Sequence, residues 1–399
     1  MPSPIRTAKR VDGVSYAVRD VVLTARKAAE AGKDLIFMNI GDPCQFGFRT
    51  PPHIVEAIAR ALRDNQTFYA PSEGTPEAIE AIRRDAVERK GIRDPLAVFV
   101  GHGASEPIEL LLTALVEPGE GVLVPSPGYP LYSAILGKLE ARAQAYHLDE
   151  ERGWAPDPDE IEALVDAGTR ALVLINPNNP TGSVAPRAVL ERVLDVAARH
   201  GLVVLSDEIY DRMLLDEVDF VSTASLRDDV VVATFGGLSK VWLGPGLRLG
   251  WAIFSGPEVA AKPLLDAMGR LLRARLCASH PVQHAVPAAL EGPQEHIAET
   301  NRILRRRRDL LVERLRDLPG WSLTPPQGAF YAFPRLDLGR PDAEVVRELI
   351  LEQGVVLVHG SGFGQRAGTQ HARMVFLPPE DVLEEALRRI RAYTEARLG

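Results

Sequence analysis

A chain of 399 residues, 46% hydrophobic and 25% charged, can bury a large core and is long enough for two domains. Its net charge of −8 argues against nucleic acid or an acidic membrane surface as the main partner, and no apolar run reaches the roughly eighteen residues of a membrane span. Two cysteines, Cys44 and Cys277, are too few for a disulfide framework, and the first twenty residues hold no apolar run suited to a signal peptide, so the expected location is the cytoplasm.

In chain order, the N-terminal segment ends in "KDLIFMNIGDP", a short apolar run closed by a turn. Short apolar runs then alternate with amphipathic stretches. Strands are predicted at 97–101, 121–127, 141–148, 170–177, 202–208, 230–236 and 248–254, with helices between several of them, including 105–116 and 185–201. The alternation predicts an α/β fold whose large domain has a mostly parallel seven-stranded sheet between helices, with a ligand at the rim where the strands end.

Beyond about residue 285 a helical pattern runs to about Leu318, followed by "WSLTPPQGAFYAFPRL", another helix, the strand "GVVLVHG" and a terminal helix over 380–397. The expected organisation is a large domain over 49–285, a small α+β domain over 286–399, and residues 1–48 packing with the small one. Arg305 to Arg308 read as a solvated helix face. His280 and His284 have helical spacing, but no glutamate follows the first and Pro281 interrupts, so no metal site is expected.

The stretch "FGGLSKVWLGPGLRLGW" holds one lysine in a glycine-rich segment of a chain with 39 arginines and seven lysines. Arginine stays protonated at any working pH, whereas a desolvated lysine can lose its proton and attack a carbonyl. A surface lysine in a turn would look the same. Other unusual stretches fall at predicted strand ends: "GHGASEP" (101–107), whose small residues let backbone N–H groups approach a phosphate, "PSPGYPLY" (125–132), "INPNNPTG" (175–182) and "SDEIYD" (206–211). Each alone has an ordinary account as cap, turn or core. Their convergence on one rim points to a cofactor site.

Through these motifs the sequence resembles the fold-type I pyridoxal-phosphate aminotransferases of the aspartate aminotransferase superfamily (class I/II). "NNPTG", "SDEIY" and "SK" with Arg248 eight residues after Lys240 carry the likeness. "MNIGDPCQFGF", "GLSK" and "RLCASHPVQHA" are most similar to bacterial alanine (glutamate–pyruvate) transaminases.

The resemblance implies pyridoxal 5′-phosphate as cofactor, amino acids and 2-oxo acids as substrates, and a homodimer with shared active sites. It implies that Lys240 links to the cofactor aldehyde and later moves a proton, that Asp207 pairs with the pyridine N–H, and that Asn179 and Tyr210 hydrogen-bond the ring hydroxyl. Tyr129 matches the aromatic stacked on the ring. Ala104, Ser105, Ser239 and Arg248 match the phosphate positions, with Tyr69 reaching in from the second subunit. Arg373 and Gly41 match the substrate positions, and Asn179 serves there too.

Three positions depart from the wider pattern. A second phosphate-contacting serine is replaced by Gly237, and Pro245 and Leu247 stand where many relatives read otherwise. For a distal substrate carboxylate the candidate is Arg19, with Tyr16 beside it, although an arginine on a solvated helix fits equally. Fold does not fix reaction: other chemistries compatible with the pattern are transamination of aromatic or branched-chain amino acids, decarboxylation, C–S lysis and a non-enzymatic cofactor-binding regulator.

Overall fold

The computed structural model describes residues 4–11, 14 and 17–398. Its large sheet is built from β1 (Ala97–His102), β2 (Gly121–Ser126), β3 (Arg142–Asp149), β4 (Ala155–Pro156), β5 (Thr169–Ile175), β6 (Val203–Asp207), β7 (Val232–Gly237) and β8 (Leu249–Ser255). The spatial order is β1-β8-β7-β6-β5-β2-β3-β4. β2, β3, β5, β6 and β7 pair in parallel, β8 runs antiparallel to both neighbours, and β4 is antiparallel to β3.

All seven predicted strands are present, and the sheet has eight. The addition, β4, is a two-residue edge strand ending in Pro156, too short for any periodicity and tolerated only because an edge position needs no proline N–H.

Both faces of the sheet's central strands are buried, which is why they read as continuous apolar runs, whereas β3, near one edge, reads RAQAYHLD and is exposed over much of its first half. Alternate residues go to opposite sides. Leu172, Leu174, Val204, Val232 and Ile253 enter one core, while Ala171, Val173, Leu205, Phe235 and Phe254 enter the other. Helices α1 (Ser105–Leu115), α2 (Leu131–Lys138) and, later in the chain, Glu258–Arg275 cover the second face through Leu111, Leu136 and Met268. Arg187–His200 covers the first through Leu190, Val193 and Leu194.

Ile36–Phe37 pairs in parallel with Val355–Val356, and Val375 N–H donates to Met38 O at 2.8 Å, joining the N-terminal segment to the C-terminal part of the chain. The predicted strand "GVVLVHG" is split into Val355–Val356 and Val358–His359, because each half pairs with a different partner. The helical pattern after 285 breaks at Gly292 and Pro293, between Ala285–Glu291 and Glu295–Arg316.

The four consecutive arginines are not all a solvated face. Arg306 is exposed, but Arg307 and Arg308 are buried. Helical spacing puts 304, 307, 308 and 311 on the inner side. There Arg308 grips Asp216 with two hydrogen bonds of 2.9 and 2.8 Å, and Arg307 donates to Leu377 O. No helix among the described residues is long and apolar enough to cross a membrane.

Candidate active site

Strand register brings the motif residues to one rim. Ile175 of β5 pairs with Asp207 of β6, and Asp207 with Phe235 of β7, so the parallel strands end at one level. The loops that follow carry Asn179, Tyr210 and Lys240. β8 runs the other way and therefore begins at this rim, directly after Arg248. Its Leu249 pairs with His102 at the end of β1, which sets Gly103, Ala104 and Ser105 beside that arginine.

The result is a cleft of about 220 Å³ lined by Gly41, Ala104, Ser105, Tyr129, Asn179, Asp207, Tyr210, Ser239, Lys240, Arg248 and Arg373, together with Tyr331. Of the other sequence candidates, Tyr69 does not line the cleft; it stands 79% exposed. Tyr16 lies outside the described residues. Arg19 falls in the helix Ala17–Glu30, and its side chain is outside them too.

Lys240 is half-buried. Its Nζ donates to Gly41 O at 2.7 Å and lies 5.4 Å from the Phe330 ring centre and 5.9 Å from that of Tyr210. Its loop is tied down nearby: the Cys44 thiol and Thr50 hydroxyl both donate to Leu243 O, at 3.0 and 2.7 Å.

Asp207 is buried at the end of β6. Burial pushes its carboxyl up to about 6, and neighbouring Glu208 adds to the push; the Ile209 amide at 3.3 Å, the Tyr132 hydroxyl at 3.2 Å and the Lys240 charge only partly offset it. Such a carboxylate is suited to a cationic partner that would hold it ionised. Tyr210 is also buried, and burial together with Tyr331 holds its phenol protonated well above the usual range, so it faces the cleft as a neutral hydroxyl.

At the other end of the cleft, Ala104 and Ser105 open α1, where backbone N–H groups and the helix dipole favour an anion. Ser239 and Arg248 join them. Gly103 adopts φ +69°, and a Cβ there would lie 2.5 Å from Arg248 Nη2, so the turn closes around the guanidinium only without a side chain. Gly237 has a comparable reason: a Cβ would come within 2.9 Å of Gly250 Cα and Leu249 O. A serine does not fit at that position of this chain.

Arg373 lies on the strand Ala372–Val375. It is buried, donating to Asn39 O at 2.6 Å and Asn179 Oδ1 at 3.3 Å, with its guanidinium 4.8 Å from the Tyr331 ring centre and 4.6 Å from that of Phe363. A cation held against two rings keeps its planar fork pre-oriented for a carboxylate.

Three residues of this neighbourhood were not singled out in the sequence. Tyr132 supports Asp207, Tyr331 touches Tyr210, and Lys90 anchors the turn that carries both Asp207 and Tyr210. Lys90 Nζ donates to Glu208 Oε2 at 2.8 Å and Asp211 Oδ2 at 2.6 Å. The other Glu208 oxygen accepts from the Ser206 and Ser222 hydroxyls and the Thr223 amide at 3.0, 2.9 and 3.0 Å. Burial alone would lower the Lys90 pKa; Asp211 and Glu208 outweigh it and raise it, so the lysine stays charged. An unpaired buried charge is strongly destabilising, which makes the turn rigid. The signal was available: Lys90 is another lysine in an arginine-rich chain.

With the geometry established, comparison with known proteins places the chain. The family model "Aminotransferase class I and II" matches residues 33–390. The glutamate-pyruvate aminotransferase AlaA of Escherichia coli K12 is 37% identical over 395 residues, covering 96% of each protein. The alanine aminotransferase of Mycobacterium tuberculosis H37Rv is 38% identical over 391 residues, 96% of this chain and 90% of that protein. The solved structure of alanine aminotransferase from Pyrococcus furiosus superimposes with a TM-score of 0.95 at 40% identity, covering 98% of this chain and 100% of the other. These matches span nearly the whole chain, and this protein belongs to the class I and II aminotransferases.

Proposed function

We propose that the cleft binds pyridoxal 5′-phosphate and that the enzyme exchanges amino groups between L-alanine and 2-oxoglutarate, giving pyruvate and L-glutamate. The convergence of Lys240, Asp207, Arg248 and Arg373 on one cleft carries this reading. The residues fit the group: a buried carboxylate poised for a cation at one end, and a helix start with Ser239 and Arg248 for a dianion at the other.

In this reading the cofactor supplies an electron sink for the carbanion at the substrate α-carbon. Asp207 holds the ring nitrogen in its protonated form. Tyr129 stacks on the ring, and Asn179 and Tyr210 hydrogen-bond its hydroxyl oxygen. Ala104, Ser105, Ser239 and Arg248 hold the phosphate. Lys240 would hold the cofactor through its aldehyde, and its Nζ would carry the proton at the substrate α-carbon. Arg373, with Asn179 beside it and the Gly41 backbone close by, holds the α-carboxylate.

Alanine presents only a methyl beyond that carboxylate, so most of its binding comes from Arg373 and the cofactor. Glutamate brings a second carboxylate that is costly to desolvate without a partner. Arg19 is proposed for it, with Tyr16 as a second candidate. Mixing holoenzyme with single amino acids and following the cofactor absorbance tests the pairing. Alanine and glutamate react fast, and Arg19→Ala raises KM for glutamate at least about tenfold, the worth of one such charge contact, while hardly changing alanine. Fast reaction with aromatic or branched amino acids and none with alanine would overturn the substrate choice; equal damage to both substrates would make Arg19 structural.

The reading extends to a homodimer with sites built from both chains. Tyr69 is 79% exposed beside Phe68 at 63%, whose ring meets His280 edge-on at 4.6 Å; two large exposed aromatics side by side suit a buried interface in which Tyr69 reaches the partner's phosphate. Light scattering at assay concentration should give twice the chain mass, and an active monomer would refute it. A small domain formed from 1–48 and 286–399 beside the large one at 49–285, and a cytoplasmic location suited to two free cysteines, belong to the same proposal.

A further inference from the structure

We propose that Tyr331 is a positioning residue that links the arginine for the substrate carboxylate to the hydroxyl of Tyr210, using its ring for one and its own hydroxyl for the other. Tyr331 is buried in the cleft wall on the two-residue strand Tyr331–Ala332, which pairs with the strand of Arg373. Its ring centre is 4.8 Å from the Arg373 guanidinium. Its hydroxyl lies 3.1 Å from that of Tyr210, with the two rings nearly perpendicular at 89°. The same hydroxyl sits against Gly41, where an added Cβ would come 2.1 Å from it, and the Gly41 carbonyl accepts from Lys240.

The direction of the Tyr210–Tyr331 bond follows from counting hydrogens. Each phenol has one. In the function proposed above, on which this inference rests, Tyr210 donates its hydrogen to the cofactor's ring oxygen. The hydrogen in the 3.1 Å contact must then come from Tyr331. A hydroxyl that accepts one hydrogen bond becomes a stronger donor in the next, so the chain from Tyr331 through Tyr210 to the ring is polarised one way. Burial holds Tyr210 protonated, as this order requires. Phenylalanine would fill the same space over Arg373 without a buried hydroxyl to satisfy, so packing alone does not account for a tyrosine.

Two substitutions in the holoenzyme separate the two tasks. Tyr331→Phe keeps the ring and loses the donor. Titration of the bound cofactor's absorbance should shift upward by about half a pH unit or more, because the ring oxygen's anionic form is less stabilised. The dissociation constant for propionate, a carboxylate without the reacting amine, should stay within about twofold. Tyr331→Leu loses both, giving the same spectral shift and propionate binding weaker by at least about fivefold.

In a Tyr210→Phe background, Tyr331→Phe should move the titration no further. An unchanged titration in Tyr331→Phe, an additive shift in the double variant, or equal propionate losses in Phe and Leu would each overturn the inference. A wild-type protein that gives no titrating cofactor band would instead overturn the function of the cleft, and this inference with it.

Discussion

Lys240→Ala is expected to keep the fold and to bind pyridoxal phosphate without a covalent bond, while transamination falls by at least about four powers of ten. The size follows from losing two tasks at once, since a positioned proton carrier alone contributes about 10²–10⁴-fold. The fold should survive because the side chain is half-buried and makes one hydrogen bond, to Gly41 O. Other ties of the loop, from the Cys44 thiol and Thr50 hydroxyl to Leu243 O and from Trp242 Nε1 to Ala289 O at 2.8 Å, are left alone by the substitution. Borohydride reduction of the wild-type holoenzyme and peptide mapping should put the pyridoxyl group on residue 240. A label on Lys90, the buried lysine behind the rim, or on any surface lysine would refute the assignment.

Asp207→Ala should reduce single-turnover rates on alanine by at least about a hundredfold, because a neutral pyridine nitrogen withdraws electrons far less well. A variant within about threefold of wild type would be incompatible with a charge of this importance.

A second measurement reads the same carboxyl without the reaction. In cofactor-free protein its pKa is raised from the ordinary 3.8 to about 6. Between those values the folded state keeps a proton that the unfolded state releases, so stability present at low pH is lost as pH rises through about 6. Above that the penalty reaches about 3 kcal/mol, at 1.36 kcal/mol per pH unit. Cofactor-free Asp207→Asn therefore gains on wild type as pH rises from about 4 to 7 in denaturant melts. With pyridoxal phosphate added, the cationic ring nitrogen offsets the penalty and wild type recovers the advantage. A difference between the two proteins that does not change with pH would show that the carboxyl is already ionised by other means.

The elements and their chemistry are legible in the amino-acid order alone. Apolar runs of strand length mark the central strands, because a sheet buried on both faces needs apolar residues at every position, and alternation marks the half-exposed β3. Lys240 stands out because the chain elsewhere prefers arginine, and the motifs at strand ends stand out because they cannot continue a strand. Features shorter than a period escape: β4 has two residues, and the split of "GVVLVHG" depends on which partner each half meets. Burial of Arg307 and Arg308 escapes too, since long aliphatic stems let a helix turn charged residues inward once Asp216 and Leu377 O are there to receive them.

Contacts across the cleft are set by how distant elements pack. Tyr331 lies 121 residues from Tyr210, and Arg373 lies 194 from Asn179. Their meeting depends on strand pairing and on the small residues that let the elements close. At Gly237 the approach of Gly250 excludes any side chain, and at Gly41 the Tyr331 hydroxyl does the same. Local pattern records what a residue can do, whereas a distance of 3 Å between distant parts of the chain is set by packing that every element shares.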